Sequence, residues 1–467
     1  QLHAGGVDEA PEQDQGLGGG VVHAGGDSIR RALWRGGHYY LALLCAKIPS
    51  MTSIAKKCPF TPGAGHIPPK LAGRGGETAM LDRMLSRLAG DRVKGKERLV
   101  DRPYDPVKII GPRGVGKTVL LSWAKEQAEQ QGILVVDCTC LQDDANTDPL
   151  KRLLTAMEKG PSKLVKLLRE FGFTVPVVGG GLKIKIDRDT DITYDQIVRK
   201  IVQKKPLLFL MDEVHNFDPD PLGRMLKYNQ LLLREAYPLG VVMAGTPGLN
   251  GNLDKAKAGF IDRCREIYIN TLSDEATLEA LREPLEHTEL KVAPDAIEAM
   301  AAYTDNYPYF IQIVGELVWD KAILAGRKNV DTAFISQLDS DARRSRGAIY
   351  RKAYDRMKEK GLLSHARRVM QVIERSGGEV AEDVVYDLLD NTKSLPGDRV
   401  KEVYNGLRED GFIWTVDDIT RPGIPSFFSY LKSRDRRDDR SKGDGDGLLN
   451  WLSGFVPDIV HRGRRGQ

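Results

Sequence analysis

A chain of 467 residues has the length of two or three domains. Hydrophobic residues make up 41% and charged residues 29%, the balance of a soluble globular protein, and a net charge of +4 is too small to imply nucleic acid by itself. No apolar run approaches the ~18–20 residues that a membrane span needs, so a cytoplasmic location with no membrane partner is expected.

Residues 1–50 are glycine-rich, contain no methionine and carry neither a helical nor a strand period. They are expected to be a disordered or artefactual extension, with the true start at Met51. The segment 51–103 holds a loop at Pro59-Phe-Thr-Pro62, then Leu71-Ala-Gly-Arg74, then an amphipathic helix from Glu77 to Leu88. The five cysteines are Cys45, Cys58, Cys138, Cys140 and Cys264; Cys138-Thr-Cys140 ends a predicted strand with no second pair or nearby histidine to complete a metal site, so buried reduced thiols are expected.

Val107, Ile109 and Ile110 predict a short buried strand, and the run from Val119 through Ala128 predicts a helix. Between them, Gly111-Pro-Arg-Gly-Val-Gly-Lys-Thr118 fits G-x-x-x-x-G-K-[ST] at every fixed position. Glycines let backbone N–H groups close around phosphate oxygens, and the helix N-terminus adds its positive dipole. The expected nucleotide-binding set is Gly111, Pro112, Arg113, Gly114, Val115, Gly116, Lys117, Thr118 and Val119. Lys117 is expected to reach the β- and γ-phosphates of ATP, and Thr118 to ligate Mg²⁺.

Further apolar runs predict strands at Ile133–Cys138, Leu207–Met211, Gly240–Gly245 and Glu266–Ile269. Residues 141–205 read as helix, hairpin and helix, with the hairpin at 173–186. Strands alternating with helices argue for an α/β fold with a parallel, doubly wound sheet over 104–272. The third strand ends in Asp212-Glu213, a carboxylate pair suited to P-loop hydrolysis. Asp212 is expected to hold Mg²⁺, and Glu213 to orient and polarise the attacking water. An acidic helix N-cap is the alternative for this pair. Thr246, in Ala244-Gly-Thr-Pro-Gly248, follows the fourth strand, where doubly wound sheets bind ligands. It is expected to sense the γ-phosphate or the lytic water; a plain Thr-Pro-Gly turn is the alternative.

These motifs, in this order, resemble an AAA+ ATPase of the initiator-like branch, related to origin-recognition ATPases and STAND switch ATPases. The resemblance covers residues 68–335 and implies a helical lid over 273–335. It also implies that Gly73 and Arg74 flank the adenine and that Pro308, in Asn306-Tyr-Pro-Tyr-Phe310, packs near the base. STAND members usually carry Gly-x-Pro there, and this chain lacks that glycine. ATP is preferred to GTP on the same ground; no guanine-reading Asn-Lys-x-Asp follows the P-loop. Arg263, in Phe260-Ile-Asp-Arg263, stands where this superfamily places an arginine acting on the neighbouring subunit's γ-phosphate, which implies a homo-oligomer; Arg265 is a close competitor. No clear second sensor arginine stands out in the lid, where Arg282 is a candidate. Asp212-Glu-Val-His215 also spells a helicase DExH box, but the residues after 273 read as a helical lid rather than the second RecA-like domain a helicase needs.

After a basic linker helix at 336–362, residues 363–431 show three amphipathic helices and a hairpin, resembling a winged helix-turn-helix. The hairpin is expected to pair Gly411-Phe-Ile-Trp414 with Pro425-Ser-Phe-Phe-Ser-Tyr430 around a turn at Arg421-Pro-Gly423. The resemblance implies duplex DNA as partner, with the third helix in the major groove. Yet residues 364–431 hold eight Lys/Arg against twelve Asp/Glu, a poor balance for phosphate contacts unless Arg399, Lys401 and Arg408 share one face. The alternative is a signalling switch whose winged helix binds protein. A third reading is a nucleotide-binding protein with negligible turnover. Residues 432–467 form a charged tail ending in the apolar segment 448–455.

Overall fold

The structure, a computed structural model, describes residues 57–63, 65–90, 92–94, 97–99, 104–140, 177–178, 181–182, 194–259, 261–391 and 397–440. The chain divides into a unit Gln1–Ser53 and a unit Ile54–Gln467, and every described residue lies in the second. The expected extension at 1–50, the start at Met51, most of the 141–193 segment with its hairpin, and the apolar tail segment lie outside the described residues.

Five strands form the central parallel sheet: β1 (Val107–Ile110), β2 (Leu134–Thr139), β3 (Leu207–Asp212), β4 (Leu239–Gly245) and β5 (Arg265–Tyr268). Their order is β2-β3-β4-β1-β5. Every residue of β1, β3 and β4 is buried, as expected for strands covered on both faces. One of them is charged. The Lys108 ammonium lies 2.5 Å from the Glu266 carboxylate of β5 and donates to Asn250 at 3.0 Å, so an ion pair ties β1 to its edge neighbour.

Helices α1 (Gly75–Ala89) and α2 (Lys117–Gln130) cover one face of the sheet; α3 (Tyr194–Val202), α4 (Pro219–Arg234) and α5 (Gly248–Lys255) cover the other. Asp218 caps α4 by accepting the Asp220 N–H at 3.1 Å, and Pro219 fits its first turn, where no N–H is required. A helical segment follows: α6 (Asp274–Glu286), α7 (Pro294–Ala301), α8 (Pro308–Leu324) and α9 (Thr332–Gln337). These helices share their own core around Leu281, Met300, Ile311 and Phe334.

α10 (Asp339–Glu359) is a packing helix. It buries Tyr350, Ala353, Tyr354 and Met357 in a core that runs from the sheet into the C-terminal elements. Three of its basic residues pair with acids, Arg343 with Asp339, Arg344 with Asp341 and Arg346 with Asp305, and Lys360, just past its end, pairs with Asp410. Paired charges of this kind suit a packed helix better than a phosphate-binding face.

The C-terminal elements are α11 (Leu363–Arg375), β6 (Val380–Ala381), α12 (Glu382–Asp390), α13 (Gly397–Glu409), β7 (Ile413–Val416), β8 (Ile419–Pro422) and α14 (Phe427–Arg440). β6, β8 and β7 form an antiparallel sheet in that order. The hairpin differs from the expected one. Its turn is Asp417-Asp418, both at positive φ, the geometry of a tight two-residue connection. The second strand therefore comes earlier, and the run expected as a strand from Pro425 opens into α14, which carries the charged tail as helix through Arg440. Aromatic spacing over 427–430 suits either element; the tight turn upstream decides.

Trp414 of β7 is buried in the core on the α4–α5 face of the sheet, and its ring lies 6.1 Å from that of Tyr268 on β5. Trp414→Ala should lower unfolding free energy by about 3–5 kcal/mol, read by urea denaturation. A loss below about 1 kcal/mol, the scale of a surface change, would contradict this docking. Among the described residues, no helix is long and apolar enough to cross a membrane.

Candidate nucleotide site

The sheet order brings three chain segments to one edge. β4 lies between β3 and β1, so the ends of all three strands meet at their carboxyl side. The loop after β1 wraps the N-terminus of α2, and Gly111 N–H donates to Gly245 O at the end of β4, at 3.3 Å. Gly114 and Gly116 take positive φ of 78° and 99°, turning the loop so that α2 can start at Lys117.

Lys117 is 5% exposed, and its ammonium donates to Gly111 O at 2.9 Å and Pro112 O at 2.6 Å. Burial brings it down to about 8, with the Glu213 and Asp212 carboxylates opposing that shift and Arg113 adding to it. A phosphate at this loop would restore the ammonium, because an adjacent negative charge favours the charged form. Thr118 Oγ1 donates to Asp212 Oδ2 at 2.6 Å. Burial pushes the Asp212 carboxyl up, Glu213 adds to this, and the Thr118 hydroxyl and Lys117 oppose it. A hydroxyl and a buried carboxylate in contact form a hard-oxygen pair of the type Mg²⁺ prefers. Val119 follows in α2, and Val115 is buried in the core beneath the loop.

Glu213 stands just past β3 at φ 55°, a left-handed backbone that a residue with a Cβ adopts under strain. Its Oε2 lies 3.2 Å from His215 Nε2 and 3.7 Å from Arg113 Nη1. His215 Nδ1 accepts the Thr246 N–H at 3.4 Å. Thr246 is fully buried, and its hydroxyl donates to the backbone carbonyl of Glu409, the last residue of α13. The C-terminal elements thus reach the nucleotide edge. A Cβ built on Gly411 would lie 3.7 Å from the Arg113 nitrogen and from Pro112 Cα.

Burial holds His215 down to about 4, helped by Arg113 and Lys117 and opposed by Glu213. The unfolded chain then takes up its proton first as pH falls from 6.5 toward about 4, so stability is lost across that window. His215→Gln should lose less stability than the wild type between those pH values, measured by denaturant titration. Identical pH dependence would contradict the burial of a neutral imidazole here.

Arg74 is buried and binds loop backbone: its Nη2 donates to Val115 O at 3.2 Å and to Asn270 O, while Nη1 lies 3.4 Å from Glu77. Burial lowers its pKa, against Glu77. Gly73, at φ 66°, leaves room for α6, because a Cβ there would come within 2.7 Å of Ala276 Cβ. Pro308 opens α8 between two residues that grip the loop. Tyr307 Oη donates to Arg113 O, and Tyr309 N–H donates to Gly114 O at 3.2 Å. Arg263 lies in the exposed 3-10 turn Ile261–Arg263, outside this cluster. Arg265 is engaged within its own chain, over the Tyr104 ring and 3.7 Å from Asp105. Arg282 is exposed on α6.

Sequence reasoning missed Tyr307 and Glu409. An aromatic just before a helix-opening proline was the available signal for Tyr307. Nothing local marks Glu409, whose contribution is a backbone carbonyl.

Residues 102–253 match the family model described as an AAA domain. No curated protein matches the chain significantly. Among solved structures, the chain is similar to the Walker-type ATPase PABY2304 of Pyrococcus abyssi, with 14% identity, a TM-score of 0.51, and 77% of this chain and 95% of that one covered. The ORC2 protein of Aeropyrum pernix, solved in ADPNP–ADP complexes, matches with 14% identity, a TM-score of 0.47, and coverage of 80% and 97%. Cdc6p from Pyrobaculum aerophilum matches with 15% identity, a TM-score of 0.45, and coverage of 82% and 99%. The domain match and the five-stranded parallel sheet with its flanking helices agree on an AAA domain with the P-loop NTPase fold over residues 102–253.

Proposed function

We propose that the chain is an ATP-driven switch that hydrolyses ATP with Mg²⁺ and moves its C-terminal module in response. Phosphate sits on the backbone N–H groups of residues 113–118 and at the α2 N-terminus, with Lys117 neutralising charge on the transferred group. Thr118 and Asp212 hold the metal, which when bound offsets the negative charge that develops on the phosphate oxygens. Glu213 takes a proton from the attacking water. Gly73, Arg74 and Pro308 shape the adenine side of the loop. Arg263, exposed on its turn, serves a neighbouring copy in a homo-oligomer.

The observation that carries the switch is the bond from Thr246 Oγ1 to Glu409 O. A hydroxyl has one proton to donate. If Thr246 donates to a γ-phosphate or to the lytic water, it releases Glu409, so ATP weakens the docking of residues 363–431 while ADP leaves it in place. Ligand-dependent contact of this kind is what biases a two-state arrangement.

The three helices and antiparallel hairpin of that module support a winged helix-turn-helix reading. Duplex DNA is one target for it. The regulatory reading has a specific observation in its favour: α13, the helix that would enter a major groove, ends against the nucleotide site, and Arg399 near its start pairs with Glu402 at 3.5 Å. The test is ATP turnover of wild type and Lys117→Ala with and without duplex DNA. Turnover lost in the variant and stimulated by DNA would support the DNA-coupled form. Turnover indifferent to DNA would support the regulatory form. Wild-type turnover no faster than that of the variant would overturn the hydrolytic reading.

A further inference from the structure

Two buried polar atoms at the site face each other without a completed bond. Glu213 Oε2 and His215 Nε2 are both shielded from solvent and both lack an aligned hydrogen bond, yet they lie 3.2 Å apart. Across the ring, Nδ1 accepts the Thr246 N–H at 3.4 Å. The ring is wedged against the end of β4, where a Cβ on Gly245 would come within 3.2 Å of Nδ1. A neutral imidazole that accepts at Nδ1 carries its single proton on Nε2, aimed here at Glu213.

Buried orphan atoms are unfavourable and call for an explanation. We propose that His215 is a positioning residue for Glu213, holding the carboxylate through Nε2–H while its own place is set by the Thr246 amide. This rests on the hydrolytic reading above and deepens it. Thr246 is also the residue whose hydroxyl reaches Glu409 in the C-terminal module. Movement of Thr246 on releasing Glu409 shifts the ring, and the misaligned contact at 3.2 Å closes into a hydrogen bond that fixes the strained Glu213. Module position and readiness of the base are then joined through one imidazole. Arg113 Nη1 lies 3.7 Å from the same carboxylate oxygen.

The test separates the two ring nitrogens in the full chain. The amide nitrogen of His215→Gln reaches the level of Nε2 and can donate to Glu213. The amide of His215→Asn stands at the level of Nδ1, can accept from Thr246, and falls short of Glu213. The measurements are kcat and KM for ATP, with Lys117→Ala as the baseline and ATP binding as the check on folding. His215→Asn should lower kcat by about tenfold or more, the scale of a misplaced catalytic group, with KM changed by less than about threefold. His215→Gln should recover most of that loss. Equal kcat in the Gln and Asn variants, or an effect confined to KM, would overturn the role of His215 and leave the hydrolytic reading standing. Wild-type turnover at the Lys117→Ala baseline would overturn both.

Discussion

Glu213→Gln should lower kcat by about two to four orders of magnitude, the range for loss of a general base, and leave ATP affinity within about threefold of wild type. The substitution keeps the side-chain shape and removes only the group that takes the proton. Three features single out Glu213. It follows β3 directly, one residue after the Asp212 carboxylate that bonds Thr118. Its backbone is held at φ 55°, which aims the side chain away from an ordinary strand path. Its carboxylate sits within 3.7 Å of Arg113 in the phosphate loop. Steady-state turnover and equilibrium binding of ATP measure the two halves of the expectation. A kcat loss smaller than tenfold would place the base elsewhere.

Gly114→Ala should lower ATP affinity by about tenfold to a hundredfold, since every 1.4 kcal/mol is a factor of ten. Gly114 stands at φ 78°, where a Cβ is disfavoured by roughly 1–2 kcal/mol before any contact is counted. The new methyl would also lie 2.5 Å from Tyr307 Oη and 2.9 Å from Cζ. Tyr307 has little room to yield. It is fully buried and packs edge-on against Phe310 with centroids 4.8 Å apart. Either the loop opens or the start of α8 withdraws, and both disturb the phosphate cradle. Gly114→Ala combined with Tyr307→Phe, which removes the clashing oxygen, should recover part of the loss, a coupling that a double-mutant cycle reads directly. Unchanged affinity and melting temperature in Gly114→Ala would contradict the close fit of the lid on the loop.

Much of this architecture was legible in the residues. β3 and β4 stand out because strands buried on both faces read as nearly unbroken apolar runs, whereas β5, Arg265-Glu-Ile-Tyr268, buries only Ile267. The P-loop is legible because phosphate binding constrains four of its eight positions by chemistry: Gly111, Gly116, Lys117 and Thr118. Strand order was not legible, since parallel strands are joined by crossovers whose direction no local pattern records. Lys108, in the middle of β1, is a buried partner of Glu266, a pairing that no local pattern records. The hairpin was misplaced because Arg421-Pro-Gly makes turns in many settings, whereas Asp417-Asp418 makes this one at positive φ. At the site, Lys117, Thr118, Asp212, Glu213 and Thr246 converge as the motifs anticipate. The contacts that join them to the rest of the chain were beyond reach. Thr246 and Glu409 are 163 positions apart, and Tyr307 and Arg113 are 194 apart. Such bonds depend on packing between separately folded elements.

In the proposed switch, the nucleotide decides whether the C-terminal module stays docked on Thr246. Hydrogen–deuterium exchange of residues 409–416 tests it most directly, using Glu213→Gln protein saturated with ATP and then with ADP. The amides of Gly411 and Phe412, bonded to Arg408 O and Leu407 O, report the end of α13 where it meets the site. Faster exchange of this segment is expected with ATP than with ADP, as Thr246 leaves Glu409 for phosphate. Equal protection in both nucleotides would contradict it, and would leave the module a fixed part of the fold.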